Sequence, residues 1–449
     1  MDDYFFLQSL LLCVAAVALL QLAKVAATMR RRPRTPPGPW RLPVIGSMHH
    51  LVNALPHRAM RDLAGVHGPL MMLRLGETPG SSPARSSATA GPDILFSPSG
   101  DYWRKLRQLC AAEILSPKRV LSFRHIREDE VTARVEEIRA AAAPSTPVNL
   151  SVLFHSTTND IVARAAFGRK RKSAPEFMAA IKAGVGLSSG FKIPDLFPTW
   201  TTALAAVTGM KRSLRGIHKT VDAILQEIID ERRCVRGDKI NNGGAADDQN
   251  ADENLVDVLI ALQEKGGFGK SVTTPWVIVT HMICTLDVQD MFAGGTGTSA
   301  SALEWAMSEL MRNPAVMKKL QGQIREAFHR KAVVTEADLQ ASNLRYLKLV
   351  IKEALRLHPP APLLVPRESI DTYEFIPFGS GRRMCPGFNY GLASMELVLV
   401  AMLYHFDWSL LVGVKEVDME EAPGLGVRRR SPLLLCATPF VPAAVSADY

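Results

Sequence analysis

The 449-residue sequence has few cysteines, and none of them forms a Cys-x-x-Cys pair. The six are scattered along the chain, at Cys13, Cys110, Cys234, Cys284, Cys385 and Cys436. Disulfide-stapled domains and zinc sites both need cysteines at short, regular spacings. The distribution therefore argues against both kinds of structure and indicates a reducing compartment.

The sequence is basic, yet it lacks the motifs of a nucleic-acid-binding protein. Its formal net charge is +9, but zinc spacings, RNP-type aromatic motifs and a sustained basic stripe are absent from it. We therefore predict no nucleic-acid partner. A basic chain fits a protein that lies against a membrane or meets an acidic partner. The hydrophobic content of 47% is enough for a sizeable core.

Charged residues are also absent from residues 4–23, which are rich in Leu, Ala and Val. A run of about 20 apolar residues is long enough to span a bilayer as a helix. Two aspartates precede the run and a basic cluster follows it, so the positive-inside rule places the bulk of the chain in the cytosol. A cleavable signal peptide has the opposite charge order. We predict an anchor over residues 1–29, with a single transmembrane helix at about 4–23, and a basic, proline-rich hinge over residues 30–40.

The most informative stretch is a glycine-punctuated loop that presents one cysteine before a helix. Residues 378–387 read Phe-Gly-Ser-Gly-Arg-Arg-Met-Cys-Pro-Gly, and a helical pattern follows from Phe388 to Leu403. The glycines permit backbone shapes and close approaches that a Cβ would block. Backbone N–H groups near a helix start favour negative charge, so we expect Cys385 to be a thiolate. Such a thiolate can ligate a haem iron; the alternative is an inert, buried cysteine beside a tight turn.

Two further motifs place polar side chains on predicted helices. Trp103 and Arg107 are four residues apart and share one helix face. Glu353 and Arg356 are three apart within an amphipathic helix over residues 346–358, so they can pair across one turn. On a protein surface such a pair contributes well under about 1 kcal/mol, and a basic surface helix is the alternative for the Trp103 segment.

A glycine-rich sequence interrupts the helix predicted over residues 290–313. It reads Phe-Ala-Gly-Gly-Thr-Gly-Thr-Ser over residues 292–299. Glycines inside a helix cost about 1 kcal/mol each relative to Ala. We therefore expect the interruption to make room for a ligand against the backbone, with the Thr298 hydroxyl facing that ligand. The alternative is a flexible, glycine-rich helix without chemistry.

Together these motifs resemble those of the cytochrome P-450 monooxygenases, from the anchor to the C-terminal strand. The haem loop of that family reads Phe-x-x-Gly-x-Arg-x-Cys-x-Gly, which this sequence matches at Phe378, Gly381, Arg383, Cys385 and Gly387. The family also has Glu-x-x-Arg, Trp-x-x-x-Arg and oxygen-binding motifs, matched at Glu353, Arg356, Trp103, Arg107, Gly294, Gly295, Thr298 and Ser299. The sequence most resembles plant microsomal members, particularly grass enzymes that oxidise terpenoids and related specialised metabolites.

The resemblance implies a mainly α fold with a small β region, the cytochrome P-450 fold, as one haem-binding domain over residues 41–449. Haem b (iron protoporphyrin IX) would lie between the Thr298 helix and the loop of Cys385, the axial iron ligand. The residues implied to bind the cofactor are Trp103, Arg107, Gly294, Gly295, Phe378, Gly381, Arg383 and Gly387, with Arg107 and Arg383 on the propionates. The residues implied to handle oxygen and protons are Thr298 and Ser299. The residues implied to hold the core are Glu353 and Arg356. The residues implied to line the substrate pocket are Ala293, Pro362, Leu363 and Val365.

The function that the resemblance implies is insertion of one oxygen atom from O2 into an apolar small molecule of terpenoid type. NADPH would supply electrons through a flavoprotein reductase, and the protein would be anchored in the endoplasmic reticulum membrane with its catalytic domain in the cytosol. Two alternatives remain open. One is a haem-thiolate isomerase or dehydratase that needs no external electrons; the other is a non-catalytic, membrane-anchored protein that cannot hold haem.

Several departures from the family pattern keep those alternatives open. Gly297 occupies the usual position of an acid, so proton delivery would depend on Thr298, Ser299 and water. Relative to the family, we expect segments to be missing or replaced near residues 77–92 and 367–373. In the family the first segment completes a strand pair and a helix that borders the substrate pocket, and the second includes an arginine that completes a triad with Glu353. Residues 274–286 do not resemble the family.

The remaining expectations concern regions without a motif. We predict one solvated helix over residues 116–143, because its charge is mixed, and a helix over residues 148–167. Residues 237–253 have the composition of a disordered surface loop. An extended piece over residues 432–440 is predicted near the C terminus.

Overall fold

The computed structural model describes residues 36–68, 70–79, 94, 99–141, 146–169, 174–187, 193–241, 254–264, 292, 294–329, 331–363, 375–422, 424 and 426–440. The predicted transmembrane helix at residues 4–23 lies outside these ranges, as do residues 274–286 and 367–373. Among the helices of the described ranges, none combines the length and the hydropathy that a membrane crossing needs.

The described residues are mainly helical, as predicted. The helices are α1 (Pro56–His67), α2 (Asp101–Leu109), α3 (Pro117–Ser122), α4 (Arg124–Ala141), α5 (Leu150–Phe167), α6 (Ala174–Leu187), α7 (Ile193–Leu196), α8 (Thr201–Val207), α9 (Met210–Asn241), α10 (Leu255–Glu264), α11 (Gly297–Arg312), α12 (Pro314–Ala327), α13 (Glu336–Ala341), α14 (Arg345–Leu357) and α15 (Phe388–His405). The strands are β1 (Arg74–Leu75), β2 (Thr78–Pro79), β3 (Pro147–Asn149), β4 (Phe406–Ser409), β5 (Glu421–Ala422), β6 (Arg428–Arg429) and β7 (Leu434–Pro439).

The chain divides into two compact units. One unit comprises Met1–Ser86 and Phe191–Leu204, and the other comprises Ser87–Gly190 and Ala205–Tyr449. Every predicted site residue belongs to the second unit.

In the first unit, β1 and β2 form a short antiparallel pair. The turn between them needs Gly76, because its φ is +62° and an added Cβ would collide with the Leu196 carbonyl oxygen. Glu77 N donates to the same oxygen at 2.9 Å. The short pair therefore reaches into the start of residues 77–92, where we expect material of the family to be missing or replaced, while residues 80–92 lie outside the described ranges.

Helix starts in the second unit carry the caps that their sequences encode. The Ser116 hydroxyl accepts a backbone N–H at the start of α3, and the Asn149 side chain accepts Val152 N at 3.1 Å at the start of α5. Thr335 and Asp338 form a reciprocal capping box on α13. Each cap satisfies backbone donors that the helix leaves without an internal partner.

Helix α15 lies at the centre of the main core. Its second half is apolar on every side, which is typical of a fully buried helix, and the side chains of residues 397–403 are buried. Helices α4, α11, α12 and α14 pack against it. Strand β4 follows α15 directly and pairs with β7 in a sheet ordered β3-β7-β4. The predicted helix after the cysteine and the predicted C-terminal strand are confirmed.

A buried polar network ties α11 to the segment around β6. The Ser301 hydroxyl and Trp305 Nε1 both donate to the Val427 carbonyl oxygen, at 3.0 and 3.1 Å. Arg429 Nε lies 3.7 Å from Glu304 Oε1, and both side chains are buried. Burial raises the pKa of Glu304, and the Arg429 charge opposes that rise. The network fixes the C-terminal strands against the helix that follows the glycine-rich turn.

The prediction of one solvated helix over residues 116–143 is wrong in two respects. The segment breaks into α3 and α4 at Phe123. One face of α4 is buried, and it includes Arg127, which is 0% exposed. The Arg127 guanidinium donates two hydrogen bonds to the buried Glu336 carboxylate and one to Val120 O. The mixed charge of this segment therefore does not show that it is solvated, because Arg127 forms a buried ion pair with a residue that is distant in the chain.

Two other expectations need correction at their boundaries. Helix α9 extends to Asn241, so residues 237–241 of the predicted loop are helical, and the remainder of that loop lies outside the described residues. The helix predicted over residues 148–167 begins at Leu150, because β3 pairs with β7 before it.

We expect the Arg127→Ala variant to lose about 3–5 kcal/mol of unfolding free energy, because it leaves the Glu336 carboxylate buried without its charge partner. Arg430, which pairs with Glu420 on the exposed surface, supplies the control, and Arg430→Ala should change the same quantity by less than about 1 kcal/mol. Thermal and denaturant unfolding measure both effects. Equal destabilisation of the two variants would contradict the role of the buried pair.

Candidate active site

The cysteine loop is shaped by two glycines in the left-handed region. Gly379 has φ +72° and Gly381 has φ +64°, conformations that a side chain disfavours. A 3-10 turn over Gly381–Arg383 follows, and Cys385 N donates to Phe378 O at 2.8 Å, which closes the loop. The predicted need for glycine at these two positions is confirmed.

Gly387 behaves differently from this expectation. Its φ is −90°, and an added Cβ would lie 3.9 Å from both Cys385 Sγ and Leu115 Cδ1, which is ordinary contact distance. The described structure alone gives no steric reason for glycine there. Gly387 is instead the N-cap residue of α15, so Cys385 lies just before the helix start, as predicted, and its side chain is half-buried.

The helix of Trp103 packs directly against the cysteine loop. Arg107 Nη2 donates to Met384 O at 2.8 Å, and Met384 immediately precedes Cys385. The Trp103 ring is buried and lies close to two guanidinium groups, with Arg383 4.3 Å and Arg107 5.8 Å from its centroid. Both cations can interact with the π face of the indole. The structure thus brings Trp103 and Arg107 together with Arg383 and Cys385, a pair that lies far later in the sequence.

Two contacts of this cluster have no signal in the sequence. Trp103 Nε1 donates to Ile94 O at 3.1 Å, and Arg383 Nη2 donates to Ser99 Oγ at 3.3 Å. Both acceptors lie in the stretch before α2, which contains no recognisable motif. Together they fix the orientation of the indole and of one guanidinium.

The glycine-rich turn leads into α11, as the sequence predicts. Gly294 and Gly295 are helical, a turn follows at Thr296, and α11 begins at Gly297. The Thr298 hydroxyl donates back to Gly294 O. Such back-bonding to the preceding turn bends a helix.

Ser299, next to Thr298, is buried near the helix that follows the cysteine. An added Cβ on Gly391 of α15 would lie 3.8 Å from Ser299 Oγ and 3.9 Å from the Phe378 ring. The start of α11, the start of α15 and the cysteine loop therefore meet around Gly391.

Glu353 and Arg356 form the predicted pair, but the pair lies on the surface. Arg356 Nε and Nη2 donate to the two carboxylate oxygens at 2.8 and 2.7 Å, and the side chains are 55% and 50% exposed. Hydrogen bonding to Arg356 lowers the pKa of Glu353. Helix α14 buries its opposite, apolar face in the described structure, and the role of the pair in holding the core stays a prediction.

Of the predicted pocket residues, Pro362 and Leu363 are described and lie in the turn after α14, where Leu363 is exposed. Ala293 and Val365 lie outside the described residues.

The residues of this cluster fit haem b. The cofactor presents an iron that accepts a thiolate ligand and two propionate groups that pair well with guanidinium. Cys385 supplies the sulfur. Arg107 is bonded to the residue beside that sulfur, and Arg383 lies two positions before it.

Comparisons with known proteins agree with this chemistry. A profile of the family described as "Cytochrome P450" matches residues 80–373 and 368–437. The chain is 38% identical to desmethyl-deoxy-podophyllotoxin synthase of Sinopodophyllum hexandrum, over 94% of this chain and 95% of that protein. It is 37% identical to premnaspirodiene oxygenase of Hyoscyamus muticus, over 98% and 99%. It is also 37% identical to dolabradiene monooxygenase of Zea mays, over 95% and 97%. The chain therefore belongs to the cytochrome P450 family of oxidoreductases, which use haem b as their cofactor and receive electrons from NADPH through a reductase.

Proposed function

We propose that this chain inserts one oxygen atom from O2 into an apolar, terpenoid-like small molecule. The observation that carries the proposal is the contact of the Trp103 helix with the Cys385 loop, where Arg107 bonds to Met384 O at 2.8 Å. This contact gathers a sulfur and two guanidinium groups in one place. A membrane-bound NADPH–cytochrome P-450 reductase is the proposed electron donor, and it would dock on the basic face around Cys385.

Substrate class rests on the relatives and on the pocket residues. Two relatives are named for the oxygenation of dienes, and the proposed lining of Ala293, Pro362, Leu363 and Val365 is apolar. An apolar hydrocarbon skeleton is the substrate that such a lining accepts, because transfer of apolar surface from water drives its binding.

Each site residue has a proposed role that follows from its chemistry. Cys385 binds the iron, and Arg107 and Arg383 pair with the propionates. Bound haem with a thiolate ligand supplies the oxygen-activating chemistry. The Thr298 hydroxyl donates its proton to Gly294 O. Its oxygen lone pairs can therefore still accept a hydrogen bond from a water molecule. Because Gly297 provides no carboxyl, Thr298 and Ser299 are the side chains that we assign to proton transfer.

Membrane attachment is part of the proposal. We place the anchor at residues 1–29, its transmembrane helix at about 4–23, the hinge at 30–40 and the catalytic domain at 41–449 in the cytosol, on the endoplasmic reticulum. Within the first compact unit, large apolar side chains are more than half exposed, namely Trp40, Val66, Leu70 and Trp200. We include these side chains in the surface that we propose to meet the lipid bilayer.

We also propose that this chain lacks segments near residues 77–92 and 367–373. The alignments with two relatives extend over 501 and 518 positions, whereas the chain has 449 residues, so those relatives contain residues absent from it. The match to the family profile also divides at residues 368–373. Loss of the second segment explains why Glu353 and Arg356 are exposed, since the missing residues would have covered them.

Two departures favour the alternatives. Absence of an acid at Gly297 favours an isomerase or dehydratase, which needs no proton delivery to oxygen. Exposure of the Glu353–Arg356 pair favours a chain that fails to hold haem. The haem-fitting cluster around Cys385 is the reason that we place the monooxygenase first.

Turnover with isotopic oxygen distinguishes these possibilities. The full chain, expressed in membranes with a plant reductase, should convert a diene from a panel of terpenoid hydrocarbons into a product that carries one atom of labelled oxygen. The conversion should require NADPH and disappear in the Cys385→Ser variant. A product of unchanged mass formed without NADPH would instead show an isomerase, and a haem-free preparation would show a non-catalytic protein.

We expect the Arg107→Gln variant to bind haem about tenfold or more weakly. It loses the guanidinium that we assign to a haem propionate, and a charge-assisted hydrogen bond contributes about 1.5–3 kcal/mol. Arg104, on the same helix, pairs with Asp101 at the exposed surface, so Arg104→Gln should retain the wild-type haem content. The haem-to-protein ratio of the purified variants measures the effect. Equal haem-to-protein ratios in the two variants would contradict the assignment of Arg107 to the haem site.

A further inference from the structure

Helix α5 runs beside the glycine-rich turn and contacts it at three levels. Near its end, the Phe167 ring stacks on Phe292, with centroids 5.2 Å apart. One level earlier, Val162 Cγ2 lies so close to Gly295 that an added Cβ would be 3.4 Å from it. Earlier still, Thr158 reaches Thr296. Thus α5 forms a continuous support along the interruption.

The Thr158 contact is the one polar contact among these three. Its side chain is buried, and its hydroxyl lies 2.9 Å from Phe154 O and 3.3 Å from His155 O on its own helix, and 3.1 Å from Thr296 O. A hydroxyl has one proton to donate, so the three carbonyls share it. Thr296 O also accepts Ala300 N at 3.1 Å. The carbonyl at the turn therefore has partners on both helices.

The turn also contains two hydroxyls that bond back along the chain. Thr296 Oγ1 donates to Phe292 O at 2.7 Å, and Thr298 Oγ1 donates to Gly294 O. Back-bonding of this kind bends a helix, and the glycines offer little resistance to further bending. The Thr158 hydrogen bond holds the bent turn from outside, through a neighbouring helix.

We propose that Thr158 is a positioning residue for oxygen activation. By holding the Thr296 carbonyl toward α5, it fixes the bend and, two residues on, the position of the Thr298 hydroxyl. The inference rests on the proposed function, because it assigns Thr298 to proton transfer. Thr158 then acts through the turn, without touching oxygen itself. Its hydrogen bond influences what fraction of the electrons from NADPH yields product and what fraction yields peroxide.

Thr157 provides a matched control. It is the adjacent residue on α5, it is equally buried, and its hydroxyl donates to Leu153 O at 2.7 Å within its own helix. Valine replaces either threonine with nearly the same shape. Thr157→Val and Thr158→Val therefore both lose an intrahelical hydrogen bond, while only Thr158→Val loses the bond to the turn. Thr158→Ser retains that bond.

The test compares these three variants with the wild-type full chain in two measurements. Amide hydrogen exchange over residues 296–302 should be about fivefold faster in Thr158→Val, as expected for the loss of one hydrogen bond, and unchanged in Thr157→Val and Thr158→Ser. With reductase and NADPH, peroxide released per NADPH should rise several-fold in Thr158→Val alone.

Equal exchange in the two valine variants would overturn the inference, and so would faster exchange in Thr158→Val without a rise in peroxide. Failure of the proposed function is visible separately, as a preparation without a Soret band or one that turns over without NADPH. The exchange comparison gives its result in either case, because it needs neither haem nor substrate.

Discussion

The contact between α2 and the cysteine loop is the constraint on which the site depends. Arg107 bonds to a carbonyl that is 277 positions away in sequence and directly precedes Cys385. The Trp103 ring holds Arg383 on the same loop through its π face. The bond from Cys385 N to Phe378 O and the start of α15 also help to place the sulfur.

Support for the loop continues beneath it, through α15. Arg127 lies 5.4 Å from the centroid of the buried Tyr390 ring, one turn into that helix, and Arg127 is held by Glu336. Burial raises the pKa of Tyr390 to about 12, so the phenol beside the guanidinium stays neutral even at pH values where an ordinary tyrosine ionises. A buried ion pair is costly to desolvate. The role of the Arg127–Glu336 pair is to link α4 to α13 and, through the contact of Arg127 with Tyr390, to α15.

Local sequence patterns were sufficient wherever the cause of the structure is local. The sequence was enough to predict the apolar face of α14, the glycine positions of the cysteine loop and the Trp103–Arg107 helix. Burial of Arg127 was not, because its partner Glu336 is 209 positions away. Spacing shows that Glu353 and Arg356 can pair, but their exposure depends on which other segments cover α14. The bond from Thr158 to Thr296 is equally invisible, because a hydroxyl gives no periodic signal of its acceptor.

The central claim is that Cys385 is held as a thiolate ligand of haem. We expect this although the chain has fewer residues than its alignments with the relatives have positions. The carbon monoxide difference spectrum of the reduced, membrane-expressed protein tests this most directly. A thiolate ligand predicts a Soret band strongly shifted to the red of the position seen with histidine-ligated haem. A band at the histidine-ligated position, or no haem band, would contradict the claim and show that the gaps have broken the site.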